Sequence, residues 1–199
     1  MDSRNNQPKD RANHLNSFVS DYIEGKDKKA MQLRFLFNGP WCKMVKKELI
    51  DSHRVRFDEV FAINDVTFSY LVGYYAKDVK VDERKIYCVT YRSNSISFVE
   101  CYSRDILQME VLSRKNRFLK DHYVHMFDRD MLIPIRKGLK SRNREQLTTF
   151  FSIGRKYGFS KGFILFKIVK RSLKCRIGNI WKLWILLFVL TSGLSCRQV

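Results

Sequence analysis

"FAINDVTFSYLVGYYAKDVK", residues 61–80, is the stretch whose reading decides the fold. Phe68, Leu71, Val72 and Tyr75 fall on one face of a 3.6-residue period, which predicts a helix from about Asp65 to Ala76. At its head stand Asn64 and Asp65. Asn is a favoured N-cap and Asp is favoured in the first turn by the helix dipole, so capping explains both residues. A carboxylate fixed at a helix N-terminus is also a candidate general base. The spacing leaves both readings open.

The elements after this helix set the fold class. Val79–Val81 and the β-rich "IYCVTY" at 86–91 predict two strands, and "RSNS" reads as a loop. Two strands do not make an independent sheet. The expected class is therefore α/β, with a partial sheet followed by a mostly helical C-terminal region. Upstream, Leu15, Phe18, Val19, Tyr22 and Ile23 predict an amphipathic helix ending at Gly25. A second helix over Lys28 to Phe37 stops at Asn38-Gly39-Pro40, and a short one covers Lys43 to Asp51. Downstream, Ile106, Met109 and Leu112 form a helical stripe, and further helices are expected over 122–139, 143–157 and 160–173.

A hydrophobic fraction of 45% over 199 residues describes a folding chain and argues against a disordered tail. The net charge of +18 calls for an anionic partner, and its distribution is uneven. Residues 131–199 hold fifteen Lys and Arg against one acid, Glu145, a net +14 that leaves +4 for residues 1–130. Residues 177–196 carry one charge, Lys182, but the continuous apolar run "LWILLFVL" at 183–190 is only eight residues. A span needs about 20 apolar residues. An interfacial helix on an anionic leaflet fits better, with core packing or partner binding, and a marginal span, as alternatives. The first thirty residues are polar, so no leader is expected, and five cysteines without a CxxC pair suggest reduced thiols. These features place the chain in the cytoplasm, peripheral at the inner face of a membrane.

The segment "PWCKMVKKELIDSHRVRFDEVFAINDVTFSYLVGYYAKDVKVDERKIYCVTYRSNSIS" resembles the second half of the catalytic domain of family-2 glycosyltransferases, bacterial surface-polysaccharide enzymes above all. Pro40-Trp41-Cys42-Lys43 matches a small-aromatic turn with a basic residue. Lys46-Lys47-Glu48-Leu49-Ile50 matches the helix that follows, and Val55, Phe57, Asp58 and Glu59 match an "(I/V)xFDE" element. Asn64-Asp65 stands at an acidic-Asp pair opening a helix, and Tyr91-Arg92-Ser93-Asn94-Ser95 matches a "Y-R-x-x-S" element. Order and spacing hold over about residues 35–97.

The resemblance implies a GT-A fold and inverting transfer of a sugar, of the hexosyltransferase type, from a nucleotide-sugar to a saccharide or lipid-linked acceptor. It makes Asp65 the general base toward the acceptor hydroxyl. Asn64, where the family commonly has Glu, Trp41, Lys43, Arg92 and Ser95 become substrate-binding candidates. Arg92 suits a diphosphate, because a guanidinium binds phosphate oxygens in pairs, although a solvated loop charge fits it equally. Trp41 fits an acceptor pocket or the core. The complete family enzyme takes Mg²⁺ or Mn²⁺ on a "DxD" motif, which has no counterpart before Asp65. No cofactor or metal site is expected in this chain, and "DRD" at 128–130 reads as a solvated pair. His122-x-x-His125 has no further ligand at metal spacing. The expected organisation is residues 1–100 as the C-terminal part of a truncated or split transferase domain, 101–175 as a basic helical extension and 176–199 as an interfacial helix. The alternative is a non-catalytic basic protein associated with membrane or nucleic acid, although no nucleic-acid module is visible.

Overall fold

A computed structural model describes residues 11–25, 27–84 and 101–176, with side chains placed over 16–25, 30–84 and 101–170. Eight α-helices occupy these residues in chain order: α1 (Arg11–Ile23), α2 (Asp27–Leu36), α3 (Lys47–Ser52), α4 (Asp65–Tyr75), α5 (Tyr102–Asp121), α6 (Ile133–Ser141), α7 (Arg144–Lys156) and α8 (Lys161–Arg176). Short 3₁₀ turns lie at Pro40–Cys42 and Arg129–Leu132.

The expected α/β sheet is corrected. Among the described residues there is no strand, and Val79–Val81 has no pairing partner. The expected strand at 86–91, with Arg92 and Ser95, lies outside the described residues. The physical reason shows in what α4 packs against. Where a GT-A layer would put its helix on a sheet, α4 packs on α2 and α5. Val66 and Tyr70 of α4 and Phe35 of α2 join Met109, Leu112 and Leu119 of α5 in one buried cluster, completed by Ile135, Phe150 and Ile164. This core crosses position 100, so residues on both sides of the expected boundary share it. Val79 and Val81 instead cover a second cluster of Phe18, Leu33 and Phe37, where the Tyr22 hydroxyl donates to the Val79 carbonyl at 2.8 Å.

Two contacts fix α4. A methyl at Gly73 would lie 2.1 Å from the Arg34 carbonyl oxygen, so only glycine lets α2 and α4 approach this closely. Arg34 then donates to the carbonyls of Gly73 (3.0 Å), Ala76 (2.5 Å) and Lys77 (3.1 Å), closing the negative end of α4 with a guanidinium.

The helix expected over 122–139 is interrupted. Tyr123 adopts φ 58°, and the chain runs without helix to the turn at Arg129. Helix α6 restarts at Ile133 with Pro134 in its first turn, where a missing N–H costs nothing. Asn143 caps α7 by accepting from the Gln146 amide at 3.0 Å. At the other end of α7, Gly158 (φ 82°) allows its own N–H to reach the Arg155 carbonyl and that of Phe159 to reach Gly154, both at 2.9 Å. That closure turns α8 back onto α7 and buries Phe159.

Candidate functional site

Two aspartates distinguish themselves by how they are held. Asp128, read from the sequence as solvated, is 2% exposed. Its carboxylate takes a hydrogen bond from Lys115 Nζ at 2.6 Å, and Lys115 is itself fully buried. Asn116 donates to the Asp128 carbonyl at 2.9 Å and accepts from its amide at 2.6 Å. Asp128 Oδ1 also caps the 3₁₀ turn through the Asp130 amide at 3.0 Å. A buried ion pair survives only when its remaining hydrogen bonds are made, and here they are made. Asp128 is structural.

Asp65 is different. It opens α4, is half-buried, and among the described residues no side chain meets its carboxylate in a hydrogen bond or ion pair. Asp58, Asp105 and Glu110, also half-buried, pair with Arg114, Lys137 and Lys156. Burial pushes the Asp65 carboxyl above the usual range. Its own backbone N–H and the charge of Lys43 pull the other way. Desolvation therefore outweighs the stabilising influence of the helix N-terminus, giving a stronger proton acceptor.

Lys43 is the charge nearest in effect to Asp65. Its ammonium donates to the Phe37 carbonyl and lies 5.2 Å from the Phe37 ring centroid. Burial, followed by repulsion from Lys115, holds its pKa at about 7, against the opposing pull of Asp65. The Phe37–Asn38 segment links the parts. The Asn38 side chain accepts from Lys115 Nζ at 3.1 Å, and its carbonyl accepts from Ser69 Oγ on α4 at 2.6 Å.

Asn64 does not cap. It is exposed, has helical φ and ψ, and its side chain makes no cap hydrogen bond; its carbonyl accepts from the Asp58 amide at 3.1 Å. Before it, Ile63 holds φ 61°. A β-branched residue in the left-handed region stores about 1–3 kcal/mol and is held there by its surroundings. Trp41 sits in a turn packed against α4, 41% exposed, with its ring over Gly39; it does not enter the core. Phe57, stacked on Phe68 at 4.3 Å, and Phe61 are 47% and 56% exposed.

The structure therefore brings Lys43 and Asp65 into electrostatic reach, with Trp41 on a turn against the same helix, and leaves Asn64 at the rim. Arg92 and Ser95 lie outside the described residues. Sequence reasoning missed the part played by Lys115 and Asn38, because they come from separate elements with no local pattern. His122 stacks on Phe118 at 3.9 Å, which accounts for it structurally. Among the described residues, no three His, Cys, Asp or Glu side chains converge to hold a metal ion. No protein-family model, curated protein or solved structure matches the chain.

Proposed function

We propose that the chain supplies the acceptor side of an inverting sugar transferase, working at the inner face of a membrane on a saccharide or lipid-linked acceptor, with Asp65 as the general base. The observation that carries this reading is the half-buried Asp65 carboxylate that no side chain among the described residues satisfies. Asp65 takes the proton of the acceptor hydroxyl as that oxygen attacks the anomeric carbon, and the nucleoside diphosphate departs from the opposite side. Lys43 keeps a positive charge near the carboxylate below about pH 7. The exposed rings of Trp41, Phe57 and Phe61 offer faces on which a sugar can stack.

This reading rests on the residues around Asp65 and not on a GT-A sheet. Among the described residues no three His, Cys, Asp or Glu converge as a metal site, and no donor-binding role is assigned to them.

The test is incorporation of label from radioactive uridine- and guanosine-diphosphate sugars, with Mn²⁺, into membranes of cells producing the chain. Incorporation above that of cells lacking the chain is expected. It should fall at least about a hundredfold with Asp65→Asn, the loss typical of a missing general base. No chain-dependent incorporation from any donor, or wild-type incorporation with Asp65→Asn, contradicts the proposal.

A further inference from the structure

A groove of about 540 Å³ opens between the end of α5, the 123–129 segment and α8. Its floor is aromatic. Phe127 meets Phe159 and Phe163 at centroid distances of 6.0 and 5.8 Å, and Phe159 stacks on Phe163 at 5.6 Å. Its rim is cationic, from Lys120, Arg129 and Lys167, and among the described residues no Asp or Glu lines it. Lys167 Nζ sits 5.0 Å from the Phe127 centroid and 5.1 Å from that of Phe163. None of the three rim cations is within ion-pair distance of a carboxylate among the described residues. Burial, then the charges of Lys170 and Arg129, lower the Lys167 pKa, so these cations crowd one another without a counter-charge.

We propose that this groove docks the chain on a bilayer by taking the phosphate of an anionic phospholipid headgroup, with its rim cations on the phosphate and its phenylalanines toward the acyl chains. The volume suits a small ligand group, and cations held over aromatic faces keep their charge available to an anion. Helix α8 extends the same surface. Phe163, Phe166 and Val169, exposed by 37%, 59% and 51%, are interleaved on one side of it with Lys167 and Lys170, an arrangement in which rings enter the interface while lysine ammoniums reach the headgroups. Residues 177–199 do not suit the groove themselves, because their only charged residues are Lys182 and Arg197, which the rim repels. Single-stranded nucleic acid, whose bases can stack on exposed phenylalanines, is the rival occupant, and the experiment below separates the two.

The experiment is flotation of the purified full chain with vesicles of phosphatidylcholine alone or with phosphatidylglycerol. The groove variant Lys120→Gln/Arg129→Gln/Lys167→Gln is compared with Lys77→Gln/Lys80→Gln/Lys140→Gln, which removes the same charge from exposed sites elsewhere. At roughly 1 kcal/mol per cation near an anionic surface, the groove variant should lose about a hundredfold in partitioning to phosphatidylglycerol vesicles. The control should lose no more than about threefold. Phe163→Ser/Phe166→Ser should lose about tenfold with no change in charge, since each buried apolar side chain contributes about 1.5–3 kcal/mol and these are only partly inserted. Equal losses in the two charge variants overturn the proposal, leaving diffuse net charge as the cause. So does a groove variant impaired only toward a single-stranded oligonucleotide. Binding to vesicles needs neither a donor nor Asp65, so Asp65→Asn should float like the wild type, and this proposal and that of sugar transfer can fail separately.

Discussion

Asp128 with Lys115 and Asp65 with Lys43 are two Asp–Lys couples joined through the Phe37–Asn38 segment, and they are built to opposite rules. Asp128 and Lys115 are buried, 2.6 Å apart and surrounded by amide partners. Asp65 and Lys43 are half-buried, are not in ion-pair contact, and shift each other's proton affinity through space. A carboxylate that holds a fold together has its hydrogen bonds made. One that does chemistry keeps a lone pair for a substrate. The difference lies in the partners, since the sequence puts both aspartates beside turns and both lysines in basic runs.

The largest effect should come from breaking the structural couple. Lys115→Met leaves Asp128 buried and unpaired, and urea unfolding should show a loss of about 3–5 kcal/mol, while Lys115→Met/Asp128→Leu should recover much of it. A loss under about 1 kcal/mol would erase the contrast. Next is the seam between the couples. Gly73→Ala drives a methyl into the Arg34 carbonyl, and separation of α2 from α4 should cost about 1–3 kcal/mol by the same measurement. An unchanged midpoint would mean that the seam is slack.

The Asp65 couple is sharpened by pH. Lys43 has a folded pKa of about 7 against 10.5 for a free lysine, so between these values the unfolded chain binds the extra proton. Stability should therefore rise as pH increases through that window. Tyr70 and Tyr157, whose folded pKa values are raised, act in the opposite sense only from about pH 10 upward. Lys167, whose folded pKa is also lowered, adds a rise of the same sign; comparison with Lys43→Met cancels these shared contributions, and the rise should be clearly smaller in that variant. A parallel rise in both proteins would show that Lys43 is not the titrating group.

The sequence made much of this legible. Apolar periodicity found α1, α2, α4, α7 and α8 to within a few residues, and Asn38-Gly39-Pro40 ended α2. Pro134 and the left-handed Tyr123 broke the expected long helix, and Pro134 was the readable signal for it. The sheet was over-read. Val79 and Val81 are β-branched because they cover Phe18 and Phe37, and that packing has the same sequence signature as pairing in a strand. Asp65 stood out as a candidate, but its environment did not, because the burial of its carboxyl and the influence of Lys43 come from tertiary packing that no local pattern encodes. Asp128 was illegible for a similar reason. Lys115 lies in "SRKNR", a run that looks solvated until α5 turns one of its cations inward.

The most direct measurement is urea unfolding at neutral pH of Asp65→Asn beside Asp128→Asn. Because the fold disfavours the ionised Asp65, the account predicts stability equal to the wild type or above it for Asp65→Asn, within about 1 kcal/mol. For Asp128→Asn it predicts a loss of about 3–5 kcal/mol. A loss of several kcal/mol in Asp65→Asn would make Asp65 a structural residue like its counterpart and remove the base from the proposed reaction.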